Sequence, residues 1–122
     1  MVERNKDPFN ELEKLPDSPE KAQLIEDIYT QLKSVIDPEL HIDIVNLGLI
    51  YGVEIYEGQI CVVNTTLTTM GCPLADIIFD EIERAVGELD QIEKVHVKLV
   101  WYPPWTPEKM SRYARIALGI TY

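Results

Sequence analysis

The chain has 122 residues, room for one compact domain and too little for two ordinary ones. Its 46% hydrophobic content excludes a disordered chain, and its net charge of −10 excludes nucleic acid or an anionic membrane surface as the main partner. The acidity suits solubility or a basic protein partner. No apolar run approaches the ~20 residues of a membrane span. The opening stretch MVERNKDPFNELEKLPDSPE has no signal-peptide core, so a cytoplasmic location with no membrane contact is expected. Two cysteines do not make a disulfide framework, and in a reducing compartment both are thiols.

Residues 1–17 are polar, mixed in charge and broken by Pro8 and Pro16. They read as a flexible N-terminal tail, with Phe9, Leu12 and Leu15 as a weak docking stripe. The domain proper is expected to run over 18–122. Ser18 reads as a helix N-cap with Pro19 at the first helical position. Leu24, Ile25, Ile28, Leu32, Val35 and Ile36 form a helical stripe, and Pro38 ends it, so the first helix is expected over 19–35. DPELHIDIVNLG, residues 37–48, reads as a loop. Two β-rich runs follow, 49–56 and 59–67, joined as a hairpin at Glu57-Gly58. On the first, Leu49, Tyr51, Val53 and Ile55 share a face opposite Ile50 and Gly52. On the second, Cys61, Val63 and Leu67 share a face, which reads Cys61 as core.

After Pro73 a second helical stripe comprises Leu74, Ile77, Ile78, Ile82, Ala85, Val86 and Leu89. KVHVKLVW, 94–101, alternates at period two as a third strand with His96 toward water. YPPW is extended by its prolines. Thr106 reads as the cap of a last helix with Met110, Tyr113, Ala114, Ala117 and Leu118 as its stripe and Gly119 as its stop. The order α-β-β-α-β-α gives a small α+β (α/β) domain. Its three-stranded mixed sheet carries helices mainly on one face, and strands two and three are parallel across the central helix.

TTMGCPL, 68–74, carries the most chemistry. With Pro73 at the first helical position, Cys72 is the N-cap, beside unsatisfied N–H groups at the positive end of the helix dipole. A free thiol of pKa ~8.5 is about 3% ionised at neutral pH; a pKa of ~7 makes it half ionised. That favours a nucleophile or a soft-metal ligand, while a small buried cap is the plain alternative. Asp37 and Glu39, on the turn after the first helix, could supply oxygen ligands or a proton acceptor, or stand as solvated acids at a helix stop. YPPWTPE could cover the core, present an aromatic docking surface, or do both. There is no CxxC, HExxH, GxxxxGKS/T or GxGxxG. One soft ligand per chain cannot hold a cluster alone, so a cluster at Cys72 needs a second subunit, a partner or small-molecule thiols.

Three blocks, DPELHIDIVNLGLIY, TLTTMGCPL and VWYPPWTPEKMSRYARIALG, resemble the PaaD/SufT-like family of iron–sulfur cluster assembly factors in order and spacing, from about Ala22 to Gly119. The resemblance implies a metal–sulfur cluster biosynthetic role in a SUF-type pathway. It implies a site from Asp37, Glu39 and Leu40 together with Thr68, Thr69 and Cys72. Cys72 would be a transient ligand of iron or an Fe–S cluster that one chain does not hold stably. Scaffold or client proteins, and a homodimer, are the partners it suggests. His41 and Ile42 depart from the usual family pattern, which leaves His41 without a role. The expected function is a non-enzymatic accessory factor. The alternatives are a thiol enzyme with Cys72 as nucleophile, and a docking module for an oxygenase complex that uses Trp105.

Overall fold

The computed structural model describes residues 13–38, 40–67 and 75–119. Among these, the elements run α1 (Pro19–Leu32), β1 (Ile50–Tyr56), β2 (Ile60–Thr65), α2 (Ala75–Gly87), β3 (Lys94–Leu99), a 3₁₀ turn (Pro107–Lys109) and α3 (Arg112–Ala117). The sheet order is β1-β2-β3, with β1–β2 antiparallel and β2–β3 parallel. The α+β architecture with a mixed three-stranded sheet is thus the one expected.

The core lies on one face of the sheet. Ile55, Cys61, Val63 and Val97 point into it, and Ile28 and Leu32 of α1, Ile78, Phe79, Ile82 and Val86 of α2, and Ala114 of α3 close over them. The opposite face carries Glu54, Asn64 and Lys98. There Lys14 and Asn64 hydrogen-bond the Glu54 carboxylate, the lysine at 2.6 Å. Burial alone would raise the Glu54 pKa, but those hydrogen bonds and the charges of Lys14 and Lys98 outweigh it and hold it below its ordinary value.

α1 starts where the sequence places it: Ser18 Oγ accepts from the Lys21 N–H at 3.0 Å and Pro19 opens the helix. It ends three residues before the expected 35. Val35 and Ile36 leave the helix because their backbone pairs elsewhere: the Ile44 N–H donates to the Val35 carbonyl and Ile36 bridges Asp43. Residues 35–36 and 43–44 therefore pair antiparallel, and Ile36, expected in the helical stripe, is 49% exposed.

The β-hairpin departs from expectation in two places. Its turn has three residues, Glu57 to Gln59, with Gly58 and Gln59 both at positive φ, since Tyr56 pairs directly with Ile60. The register also slips between Ile50 and Gly52, so Tyr51 is an extra residue. This bulge puts Ile50 opposite Thr65 and against the core, and takes Tyr51 out of the alternation expected to place it with Val53 and Ile55.

In α2, Phe79 replaces Ile77 on the buried stripe: Phe79 is 1% exposed and Ile77 52%. Leu74 lies outside the described residues. The expected single last helix is two pieces. Met110 has an extended backbone (ψ 148°) between the 3₁₀ turn and α3, which lets its side chain reach the core. Thr106 makes no side-chain cap; Ser111 does, accepting from the Ala114 N–H at 3.2 Å. Tyr113, expected in the stripe, faces solvent at 63% exposure, while Gly119, at φ 76°, follows the end of the helix as expected.

Residues 13–15, expected within the tail, lie along the free edge of β1. The Leu15 N–H donates to the Ile55 carbonyl and the Glu57 N–H to the Glu13 carbonyl, both at 3.0 Å. An unpaired strand edge offers those groups, and Leu15 adds apolar contact with the core. Phe9 and Leu12 lie outside the described residues.

Candidate functional site

At the far end of β2 the chain leaves the sheet toward residues 68–74. Backbone hydrogen bonds tie this exit to the acidic turn. The Ile44 N–H donates to the Val35 carbonyl at 3.0 Å, the Leu49 N–H to the Ile44 carbonyl at 3.1 Å and the Thr66 N–H to the Leu49 carbonyl at 2.8 Å. The Val100 N–H then donates to the Thr65 carbonyl at 2.8 Å. The base of the 37–42 turn, the entry to β1, the exit of β2 and the exit of β3 are thereby one framework. Thr65, 1% exposed, reinforces it with a hydroxyl that donates to the Leu49 carbonyl at 2.9 Å.

Asp37 sits at the head of the turn, half-buried. Its Oδ1 accepts from the Leu40 N–H at 2.9 Å, its own N–H donates to the Ile42 carbonyl and its carbonyl accepts from the His41 N–H at 2.8 Å. The carboxylate therefore ties Asp37 to Leu40 across the turn. Leu40 is 37% exposed, and His41 takes the left-handed conformation (φ 61°) that closes the turn. Glu39, Thr68, Thr69 and Cys72 lie outside the described residues. Among the described residues no group of three or more His, Cys, Asp or Glu side chains converges.

The other thiol is placed clearly. Cys61 is fully buried on the core face, and burial pushes its pKa up to about 12. At neutral pH it is a protonated packing group.

The YPPWTPE segment, read as a core cover, an aromatic docking surface or both, is bound inward at Trp105 and open at Tyr102. Trp105 packs against the core, and its Nε1–H donates to the Leu47 carbonyl at 2.8 Å. The Ser111 N–H reaches the Asn46 carbonyl at 2.8 Å. Asp43 holds the receiving turn, accepting from the Asn46 N–H at 2.9 Å and from Asn46 Nδ2 at 2.6 Å. So Trp105 anchors this segment to the fold. Tyr102, 84% exposed, is the aromatic that faces out.

Sequence reasoning missed four members of this region: Thr65, Thr66, Tyr51 and Lys109. The Thr66 hydroxyl is buried, with the Tyr51 phenol as its polar neighbour. Gly52 was the available signal, because a glycine inside a strand often marks a bulge.

A small mixed three-stranded sheet, with its strand ends and acidic turn tied by backbone hydrogen bonds, defines a small α+β domain. Residues 25–99 match the family described as "Iron-sulfur cluster assembly protein", and the chain belongs to that family. It is 54% identical over 97 residues to the Fe-S protein maturation auxiliary factor YitW of Bacillus subtilis, covering 80% of this chain and 95% of the relative. It is 52% identical over 87 residues to the Fe-S protein maturation auxiliary factor SufT of Staphylococcus aureus, covering 71% and 99%. The crystal structure of a domain of unknown function, DUF59, from Bacillus anthracis superposes with a TM-score of 0.77 at 42% identity, covering 82% of this chain and 95% of that one.

Proposed function

We propose that this protein is a non-enzymatic accessory factor in the maturation of iron–sulfur proteins, working in the cytoplasm with an assembly scaffold or client proteins. Membership of the assembly family and near full-length similarity to two auxiliary maturation factors support the pathway. Iron or a cluster is cargo in this reading, with Cys72 as its transient ligand. In this reading Glu39, Thr68 and Thr69 tune or shield the thiolate. A one-thiol site favours handover, because a closed four-ligand site would release its metal slowly.

The observation that carries this reading is the state of the other cysteine. Cys61 is sealed in the core with its pKa pushed up to about 12, so thiol chemistry near neutral pH falls to Cys72. The test is complementation of a strain lacking its own auxiliary factor, scored by activity of iron–sulfur enzymes. Cys72→Ser is expected to lose complementation with an unchanged circular dichroism spectrum, and Cys61→Ala to retain it. Normal client maturation by Cys72→Ser sinks the proposal. Anaerobic reconstitution with iron and sulfide, read by absorbance and native mass, then reports whether cargo binds through that sulfur, and whether a second copy joins it.

A further inference from the structure

A cleft of about 420 Å³ opens between Gly48, Ile50, Tyr51, Pro103 and Lys109. Its walls are locked. The Tyr51 hydroxyl donates to the Pro103 carbonyl at 2.7 Å, joining β1 to the YPPW segment. Gly48, at φ 77°, lies so close to the Lys109 backbone that an added Cβ would stand 2.3 Å from its carbonyl oxygen. Lys109 is thereby held at the cleft, with its ammonium 5.2 Å from the centre of the Tyr51 ring. Among the described residues no carboxylate pairs with it.

Two further observations give the cleft a polarity. The Thr66 hydroxyl, fully buried, interacts with the Tyr51 phenol that lines the cleft. Among the described residues that line the cleft, Lys109 alone is charged. After Glu108 the sequence holds Lys109, Arg112 and Arg115 and no acidic residue, in a molecule of net charge −10. Tyr102 and Ile116, 84% and 67% exposed, supply apolar area on the same segment.

We infer that the Gly48–Tyr51–Lys109 cleft is a docking site for an acidic segment of a partner protein, whose carboxylate meets the Lys109 ammonium while its stem packs on Ile50 and Pro103. Charge complementarity selects that occupant: the negative surface elsewhere repels an acidic chain and leaves this basic corner as its place of approach. The cleft adjoins Thr66, two residues before the segment that carries Cys72, so a protein docked here is held at the exit of β2. The site does not depend on the thiol's own role.

The test is fluorescence anisotropy of labelled hexaglutamate and hexalysine peptides with the full chain, at low and high salt. Hexaglutamate is expected to bind, more weakly in high salt, and Lys109→Glu to lower its affinity at least about tenfold. Lys109→Gln removes the charge without reversing it and decides the matter should Lys109→Glu not fold. Cys72→Ser is expected to bind the peptide as the unaltered chain does. No binding of hexaglutamate, equal binding by Lys109→Gln, or preference for hexalysine overturns the inference. Those results leave the maturation reading standing, because its complementation assay reads a different residue.

Discussion

At the scale of single residues, burial separates the two cysteines. Alkylation of the native protein near pH 8 is expected to modify one thiol per chain. Cys72→Ser should abolish that modification, and Cys61 should react only after urea unfolds the domain; mass spectrometry of the labelled peptides checks both. Thr65 matters for its hydroxyl rather than its volume. Thr65→Val should cost about 1–2 kcal/mol in urea denaturation, since the Leu49 carbonyl then loses a buried donor. Cys61 was readable as core from its alternation with Val63. Thr66 and Tyr51 were not readable as neighbours, because a bulge moves a residue between faces without changing the composition of the strand.

At the scale of elements, periodicity did most of the work, and its failures share a cause. Val35, Ile77 and Met110 each continue a helical pattern, yet long-range backbone pairing or a change of buried face takes over at each. Val35 leaves α1 to pair with Ile44, and Met110 leaves the helical path to reach the core. The order of elements and the parallel β2–β3 pair followed from the pattern alone, since a strand, a helix and a strand leave few packings. Two variants probe the elements as they stand. Phe79→Ala, which empties a fully buried site on α2, should cost about 3–5 kcal/mol in the same denaturation. Gly48→Ala should cost about 2–3 kcal/mol, because a Cβ there meets the Lys109 carbonyl in a backbone conformation that already disfavours side chains. Its effect should exceed that of alanine at Gly87, where an added Cβ meets nothing within 4 Å.

At the scale of the whole molecule, the sequence named the pathway through three blocks of residues, while the cleft at Lys109 depends on contacts between segments about 60 residues apart in the chain and left no local signature. The acid behaviour of the domain should carry the mark of Glu54. Its folded-state pKa lies below the ordinary carboxylate value, so its contribution is present at neutral pH and is lost as the pH falls through that lowered pKa. Glu54→Gln is therefore expected to flatten the acid limb of a thermal-midpoint profile below about pH 5, with little change in slope above it. The short run Glu13–Leu15 has a further consequence. By covering the border strand it denies other chains a template, so a version trimmed to begin at Ser18 would bare the Ile55 carbonyl and the Glu57 amide. Such a version should self-associate in a concentration-dependent way by sedimentation while keeping its secondary structure, and a synthetic peptide of the missing residues, added back, should restore the monodisperse form.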